Sequence, residues 1–281
     1  MVYVAAIEDG RALIADAADL ARSEGPRYEQ LRASADLAYV DGSWEVEELR
    51  QRLPELPAMQ KNYRKVLDEI ARFRPPPGCL LDFGCGWGFF LDAARRAGWR
   101  VQGLEPLLGH SIYARGALGL SVLTDTLRPS SFPVQSFDVV ASLQVFEHLP
   151  DPAGELGKLR VLLKPGGIVV IEVPNIDCWG VRLLGRRHRH FVLDHLSFFG
   201  PRTLKRLFSA HGFETLSITY PTRTLSVRHL VDSWAARTLP AWGVRALRTV
   251  AARTGLLDKE VRLNLGDIVM VIGRKLEEPS V

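Results

Sequence analysis

The heptapeptide Asp82-Phe83-Gly84-Cys85-Gly86-Trp87-Gly88 sets a carboxylate at the end of an apolar run and then three glycines at alternate positions. Glycine in a turn permits positive φ and close backbone approach, so a flat or extended ligand can rest against the peptide planes. Asp82 offers a charge-assisted partner to an ammonium or sulfonium group and would repel a pyrophosphate. The spacing also departs from the GxGxxG of dinucleotide-binding loops, because the third glycine comes one position early and Phe89 stands where it is expected. Glu105 follows by about 20 residues, the separation at which an acid ending a second strand grips two ribose hydroxyls. The chemistry written into these residues is recognition of an adenosine joined to a cationic amino acid.

A loop of this kind needs a strand before it and a helix after it. The apolar runs and helical periodicities supply them: a strand at Cys79–Phe83, a helix at Phe89–Ala97 and a second strand at Trp99–Pro106. Next come a helix at Ser111–Leu118, strands at Ser121–Thr124 and Phe137–Gln144, a helix at Gly154–Leu163 and a fifth strand at Gly166–Pro174. Alternation of this sort predicts a parallel sheet with helices on both faces. Pro201–Phe213 reads as a helix with proline in its first turn and Gly212 as its stop, followed by a strand at Glu214–Tyr220 and a last strand from Asp267. The stretch between these two strands is too long for a structureless loop, so helices are expected within an insert at about 222–266. Ahead of the sheet, Ala12 to Phe73 reads as mostly helical, with Leu13, Ala17 and Leu20 on one face and Tyr63, Val66, Ile70 and Phe73 on another. The run Pro75-Pro76-Pro77-Gly78 divides a helical extension or cap, 1–74, from a ligand-binding domain, 75–281.

Composition bounds the rest. A chain of 281 residues that is 47% hydrophobic can bury a sizeable core. Three scattered cysteines suggest neither a disulfide framework nor a zinc knuckle, which points to a reducing compartment. Charged residues near the start and the lack of a long apolar run argue against a secretory signal or a bilayer span, so a cytoplasmic location is expected. A net charge of +4 is compatible with an anionic substrate or surface.

Taken together, DFGCGWG with Glu105, FDVVASLQVFEHLPDP and LLKPGGIVVIEVPN resemble the class I S-adenosylmethionine-dependent methyltransferases. The likeness covers roughly residues 79 to 220 plus the last strand. EHLP and DHLSFFGPRTLKRLFSAHGFE resemble the branch that contains quinone-ring O-methyltransferases and many sugar and natural-product methyltransferases. The resemblance implies a Rossmann-like, doubly wound, mostly parallel seven-stranded sheet whose last strand is antiparallel. It implies S-adenosylmethionine as cofactor, with the turn Gly84, Cys85, Gly86 and Gly88 against its methionine and ribose portion. Asp82 would face the amino end and Glu105 the ribose diol. Asp125, or its neighbour Thr126, would meet the adenine amino group, and Gln144 would lie beside the methionine part.

Methyl transfer from a sulfonium is an in-line displacement, and a hydroxyl nucleophile must also lose its proton, a task suited to histidine. His148 is the first choice, His195 the second with Asp194 as an orienting carboxylate, and His190 the third; alternatively, Glu147 and His148 only fix the loop after the fourth strand. His110, His211 and His229 are expected in surface helices or loops. In some quinone-ring relatives this loop carries a divalent metal through two acids and a histidine. Gln144 replaces the first acid here, which leaves two ligands, and no metal is expected. Arg186, Arg187 and Arg189 would hold a phosphate or carboxylate on the acceptor, or else form a solvated basic loop. The segment 226–257 interleaves arginines with Trp234, Trp242 and leucines, as either a lid or a membrane-surface helix pair serving a lipid-linked acceptor. The expected activity is methylation of a small molecule, most simply at oxygen on a sugar, quinone or natural-product intermediate. Competing readings are RNA modification, for which no nucleic-acid module is found, and a non-catalytic cofactor-binding regulator.

Overall fold

The computed structural model describes residues 2–8, 11–16, 43–235, 240–257 and 259–277. Its centre is a seven-stranded sheet. Chain order runs through a hairpin of β1 (Val2–Glu8) and β2 (Arg11–Asp16), helices α1 (Ser43–Arg52) and α2 (Leu56–Ala71), then β3 (Cys79–Phe83), α3 (Phe89–Arg96), β4 (Arg100–Leu104), α4 (Leu108–Gly116) and β5 (Val122–Leu123). There follow β6 (Phe137–Leu143), α5 (Pro152–Leu162), β7 (Leu163–Pro174), α6 (Trp179–Leu184), α7 (Pro201–Ala210) and β8 (Phe213–Thr219). The insert contributes β9 (Arg223–Ser226), short helical turns, α8 (Ala241–Arg253) and β10 (Glu260–Leu263), and β11 (Ile268–Lys275) closes the sheet.

Strand order in the sheet is β5-β4-β3-β6-β7-β11-β8. β3 to β7 pair in parallel, while β11 runs antiparallel between β7 and β8. The chain order reverses between β3 and β4 on one side and β6 on the other, which places a ligand crevice at the carboxyl ends of those strands.

The central strands are apolar on both sides because both faces are covered. Leu81, Val140, Val169 and Ile171 join Leu156 and Leu159 of α5 and Leu204 and Phe208 of α7 in one core. The alternate residues Leu80, Val139, Ala141 and Val170 meet Val66, Leu67 and Ile70 of α2 and Phe90, Leu91 and Ala94 of α3 in the other. The period-two alternation of strand side chains produces this division. At the amino ends of the strands, remote from the crevice, Asp138 of the central strand β6 accepts from the Cys79 amide at 2.9 Å and from Lys164 at 2.7 Å, and also pairs with Arg74.

Two elements differ from the sequence reading. Arg11–Asp16 is a strand paired with Val2–Glu8, not the start of a helix through Leu13. A short apolar run fits either structure by periodicity, and the intervening Asp9-Gly10 is a hairpin-turn dipeptide in sequence. Ala17 and Leu20 lie outside the described residues. The insert carries the expected helix, but also the antiparallel ribbon β9-β10. That ribbon is fastened to α2: Asn62 donates its side-chain N–H to the Thr224 carbonyl (2.8 Å) and accepts the Thr224 N–H (2.7 Å). Lys65 adds a bond to Thr222 O at 2.7 Å.

Candidate active site

A cavity of about 1370 Å³ opens at the carboxyl ends of β3, β4, β6 and β7, walled by α1 and α2 on one side and by the insert on another. Asp82, Gly84, Cys85, Gly86, Glu105 and Gln144 all line it. Gly84, at φ +77, could not carry a Cβ, which would come to 2.5 Å from Val145 Cγ2. Gly86 faces open space at φ +51 and donates its N–H to Glu105 Oε2 at 2.7 Å. A bare peptide plane is thereby presented to the cavity beside the carboxylate. Gly88 lies outside the lining and instead starts α3, packed near Ala114 and Leu120. The Cys85 thiol turns toward Gly103 in the core, and burial raises its pKa.

Two buried acids converge at this end. Burial, and then repulsion from Glu105, push the Asp82 carboxyl up to about 8. Glu105 is likewise raised by burial, against the pull of His110 and of two backbone amides, Gly86 and Leu107. A cationic ligand would compensate both groups. Gln144 holds a left-handed φ of 59 at the end of β6, an unusual conformation for a residue with a side chain, and its Nε2 donates to Glu172 Oε1 at 3.3 Å. Asp125 and Thr126 do not line the cavity: Asp125 accepts the Thr126 amide at 2.8 Å and pairs with Arg128 at 3.2 Å.

Of the proton-transfer candidates, His148 and Asp194 line the cavity. The Nδ1 of His148 lies 2.9 Å from the Asp194 carbonyl, which can only accept, so Nδ1 carries a proton and Nε2 is the nitrogen that holds the lone pair in the neutral ring. His195 approaches the His148 ring at 4.9 Å and is held by its own Nδ1 on His190 O at 2.9 Å. His190 is buried away from the cavity lining, with Nε2 2.6 Å from Asp267 O, and burial holds it down at about 4. Its geometry is that of a loop brace. Where the sequence counted two metal donors, the structure brings a third: Glu147, His148 and His195 lie within 4.8 Å of one another.

The reading of His110 and His229 as surface residues does not hold, since both line the cavity. His110 is 7% exposed, its ring packed at a tilt against Trp87 with centroids 4.1 Å apart, and its Nε2 lies 3.1 Å from Glu48 of α1. Burial alone would raise the Glu48 carboxyl, but His110 and Arg52 overcome it and hold that group at about 2. The cationic lining is also redistributed. Arg186 and Arg187 are exposed outside the cavity, whereas Arg189 lines it, paired to Asp267 with Nε at 3.1 Å. Arg223, Arg228 and Arg248 enter from the insert. Arg223 bonds Glu172, a fully buried acid on β7. Glu172 was missed, although a lone carboxylate in GIVVIEVP was the available signal. His110 had only its place after Glu105-Pro106 to mark it.

A family model described as a methyltransferase domain matches residues 57–218, more than half of the chain. A ubiquinone biosynthesis O-methyltransferase of Psychrobacter arcticus is 37% identical over 153 residues, 48% of this chain and 58% of that protein. Its counterpart from Aeromonas salmonicida is 31% identical over 147 residues, 47% and 61% of the two chains. The chain thus spans about three fifths of the length of these curated relatives. Among solved structures, a SAM dependent methyltransferase from Archaeoglobus fulgidus superposes with a TM-score of 0.52 at 18% identity, covering 77% of this chain and 94% of that one. Geranyl diphosphate C-methyltransferase from Streptomyces coelicolor gives 0.51 at 16% identity, over 75% and 78%. These two likenesses concern the fold. With the matched domain spanning the glycine loop, Glu105 and the strand ends of the cavity, the chain belongs to the methyltransferase-domain family and has the fold of the class I S-adenosylmethionine-dependent methyltransferases.

Proposed function

We propose that the chain transfers a methyl group from S-adenosylmethionine to a hydroxyl of a small anionic acceptor, a sugar, quinone or natural-product intermediate. The observation that carries this reading is one cavity with two differently built ends. Asp82 and Glu105 are buried beside an uncovered Gly86 at one, and Arg189, Arg223, Arg228 and Arg248 stand along the other. The acids suit the ammonium and ribose of the methyl donor. The arginines suit a carboxylate or phosphate on the acceptor.

In the reaction the acceptor oxygen forms a bond to the methyl carbon as the carbon–sulfur bond breaks, its electron pair passing to sulfur and leaving S-adenosylhomocysteine. The hydroxyl proton goes to a base at the cavity wall, where His148 Nε2 has the free lone pair. Alignment of oxygen, carbon and sulfur supplies much of the rate, and the walls contributed by α2 and the insert would fix it.

Calorimetric titration with S-adenosylmethionine and, separately, with NAD tests the cofactor. Binding of the first alone, weakened about 30- to 100-fold in Glu105→Ala by loss of charge-assisted hydrogen bonds, is the expected result. Binding of NAD, or of neither, would sink the reading; binding without turnover of any anionic phenol or sugar would leave the regulator alternative.

A membrane-delivered acceptor is the second reading, favoured by surface chemistry around the insert. Trp242 is 75% exposed on α8, with Leu247 and Val250 also exposed and Arg245, Arg248 and Arg253 on the same helix. Among the described residues no helix is long and apolar enough to cross a membrane, so such contact would be interfacial.

A further inference from the structure

Outward from Glu105 the cavity leaves the sheet. Its lining continues with Leu107, His110 and Trp87 and then with Glu48 of α1, a helix that precedes the matched residues 57–218. Asp125 and Thr126, where the resemblance puts the adenine amino group, are not in that lining. An adenosine gripped at its ribose by Glu105 would thus have α1, and not the turn after β5, as its outer neighbour. Three contacts seat α1 there. Leu49, 1% exposed, packs with Trp87, Phe89 and Tyr113 in a small core of its own. The carboxylate of Glu45 is buried directly over Gly109 in the first turn of α4, where a Cβ on Gly109 would come to 2.4 Å from Glu45 Oε2. The third contact is His110, whose Nε2 donates to Glu48 Oε2 at 3.1 Å because a carboxylate only accepts. The same ring packs against Trp87, and its Nδ1 lies 4.0 Å from Glu105 Oε1. One imidazole stands between the covering helix, the glycine loop and the acid expected at the ribose.

Glu105 has capacity left for a ligand. Its Oε2 accepts the Gly86 amide at 2.7 Å and its Oε1 the Leu107 amide at 2.9 Å. Each carboxylate oxygen keeps a second lone pair, one for each ribose hydroxyl. Trp87 supplies an independent indication. It is 6% exposed, and its Nε1 is buried with no hydrogen-bond partner among the described residues. A buried indole N–H without an acceptor costs free energy that a ribose oxygen or purine nitrogen in the adjoining cavity would recover.

We propose that α1 closes over the adenosine half of S-adenosylmethionine, with Trp87 donating to the nucleoside and His110 latching Glu48 above it. The floor of this subsite is the backbone of the glycine loop, and α1 adds a wall of side chains. Trp87 is a binding residue, whereas His110 is a positioning residue that acts through Glu48 and Glu105. The helix must lift for the donor to enter and for S-adenosylhomocysteine to leave, so the latch governs exchange of cofactor and product more than the alignment of the methyl group. The inference rests on the cofactor of the proposed function and on nothing at the acceptor end.

The test is calorimetric titration of the full chain with S-adenosylmethionine, S-adenosylhomocysteine and 5′-methylthioadenosine, which lacks the amino-acid portion, with stopped-flow displacement giving dissociation rates. His110→Ala and Glu48→Ala should each weaken all three ligands about tenfold, chiefly through faster dissociation. The double variant should lose less than about twofold beyond either single one, because the two residues form one latch. His110→Gln, which keeps an N–H for Glu48, should recover most of the loss. Gly109→Ala drives Glu45 off its seat while leaving the side chains of His110 and Glu105 unaltered, and should speed dissociation about threefold. Trp87→Phe should weaken 5′-methylthioadenosine about three- to tenfold. Unchanged thermal unfolding of the unliganded variants shows that they fold. The enclosure is overturned if the Glu48 and His110 variants release the ligands at the wild-type rate, if the losses spare 5′-methylthioadenosine, or if the two single losses multiply in the double variant. Wild-type protein that binds neither S-adenosylmethionine nor its product overturns this subsite and the proposed function together. Binding that follows these expectations, with no turnover of any anionic acceptor, sustains the subsite and refutes only the proposed function.

Discussion

The end of the cavity proposed for the donor is largely backbone, and the end proposed for the acceptor is largely side chain. At the first, Gly84 and Gly86 expose peptide planes, and Glu105 is fixed by the amides of Gly86 and Leu107. Strand register sets these positions, because β3 and β4 pair residue for residue from Cys79–Arg100 to Phe83–Leu104. At the second, ion pairs join segments far apart in the chain: Arg189 with Asp267, Arg223 with Glu172, Arg248 with Asp232. An ion pair can be exchanged without shifting a strand, whereas the donor end cannot change without moving the sheet. Under the proposed function, acceptor choice is the property most open to alteration.

Breaking that contrast begins with Arg223→Ala. The change strands a fully buried Glu172 carboxylate and should cost about 3 kcal/mol of stability, recovered in large part by adding Glu172→Gln. Denaturant unfolding measures the loss, and calorimetry should find S-adenosylmethionine affinity little changed. An equal loss of donor affinity would mean that the two ends are one unit.

Asp138→Asn sharpens the contrast from the opposite, amino ends of the strands. Burial alone would raise the Asp138 carboxyl, but the Cys79 amide, Lys164 and Arg74 outweigh it and hold the group at about 2. Its folded value lies below the ordinary value of about 3.9, so its stabilisation is complete above that pH and is lost as pH falls toward 2. The variant should lose about 2 kcal/mol near neutrality and show a flatter stability profile between about pH 4 and 2, with binding at both ends unchanged. A variant whose acid unfolding follows the wild type would remove this account.

The smallest effect belongs to the surface. Replacing Trp242 and Leu247 by alanine should reduce co-sedimentation with phosphatidylglycerol vesicles by about 1–3 kcal/mol of partition free energy while leaving soluble-acceptor turnover unchanged. Wild-type protein that ignores such vesicles would remove the membrane reading.

The glycine-loop end of the cavity was legible as a place in the fold because local sequence encodes it. The acid and glycines of 82–88 are contiguous, and Glu105 follows one helix and one strand later, so periodicity located them without tertiary information. Asp125 and Thr126 had only an approximate position, and the short β5 leaves them outside the cavity. The acceptor end was less legible since its contacts are long-range. Nothing near Arg223 announces Glu172, and the basic run at 186–189 drew attention to two arginines that point elsewhere. The β9-β10 ribbon escaped for the same reason, as RTLS and EVRL are each too short to carry a pattern.

The grip of Asn62 on both backbone groups of Thr224 makes a helix side chain do what a neighbouring strand would do for the ribbon's outer edge. The insert's ribbon and α2 therefore act as one structural unit. An engineer transplanting the insert into another methyltransferase would have to carry Leu56–Ala71 with it, since a graft of 222–266 alone would arrive with an open edge ready to pair with another molecule.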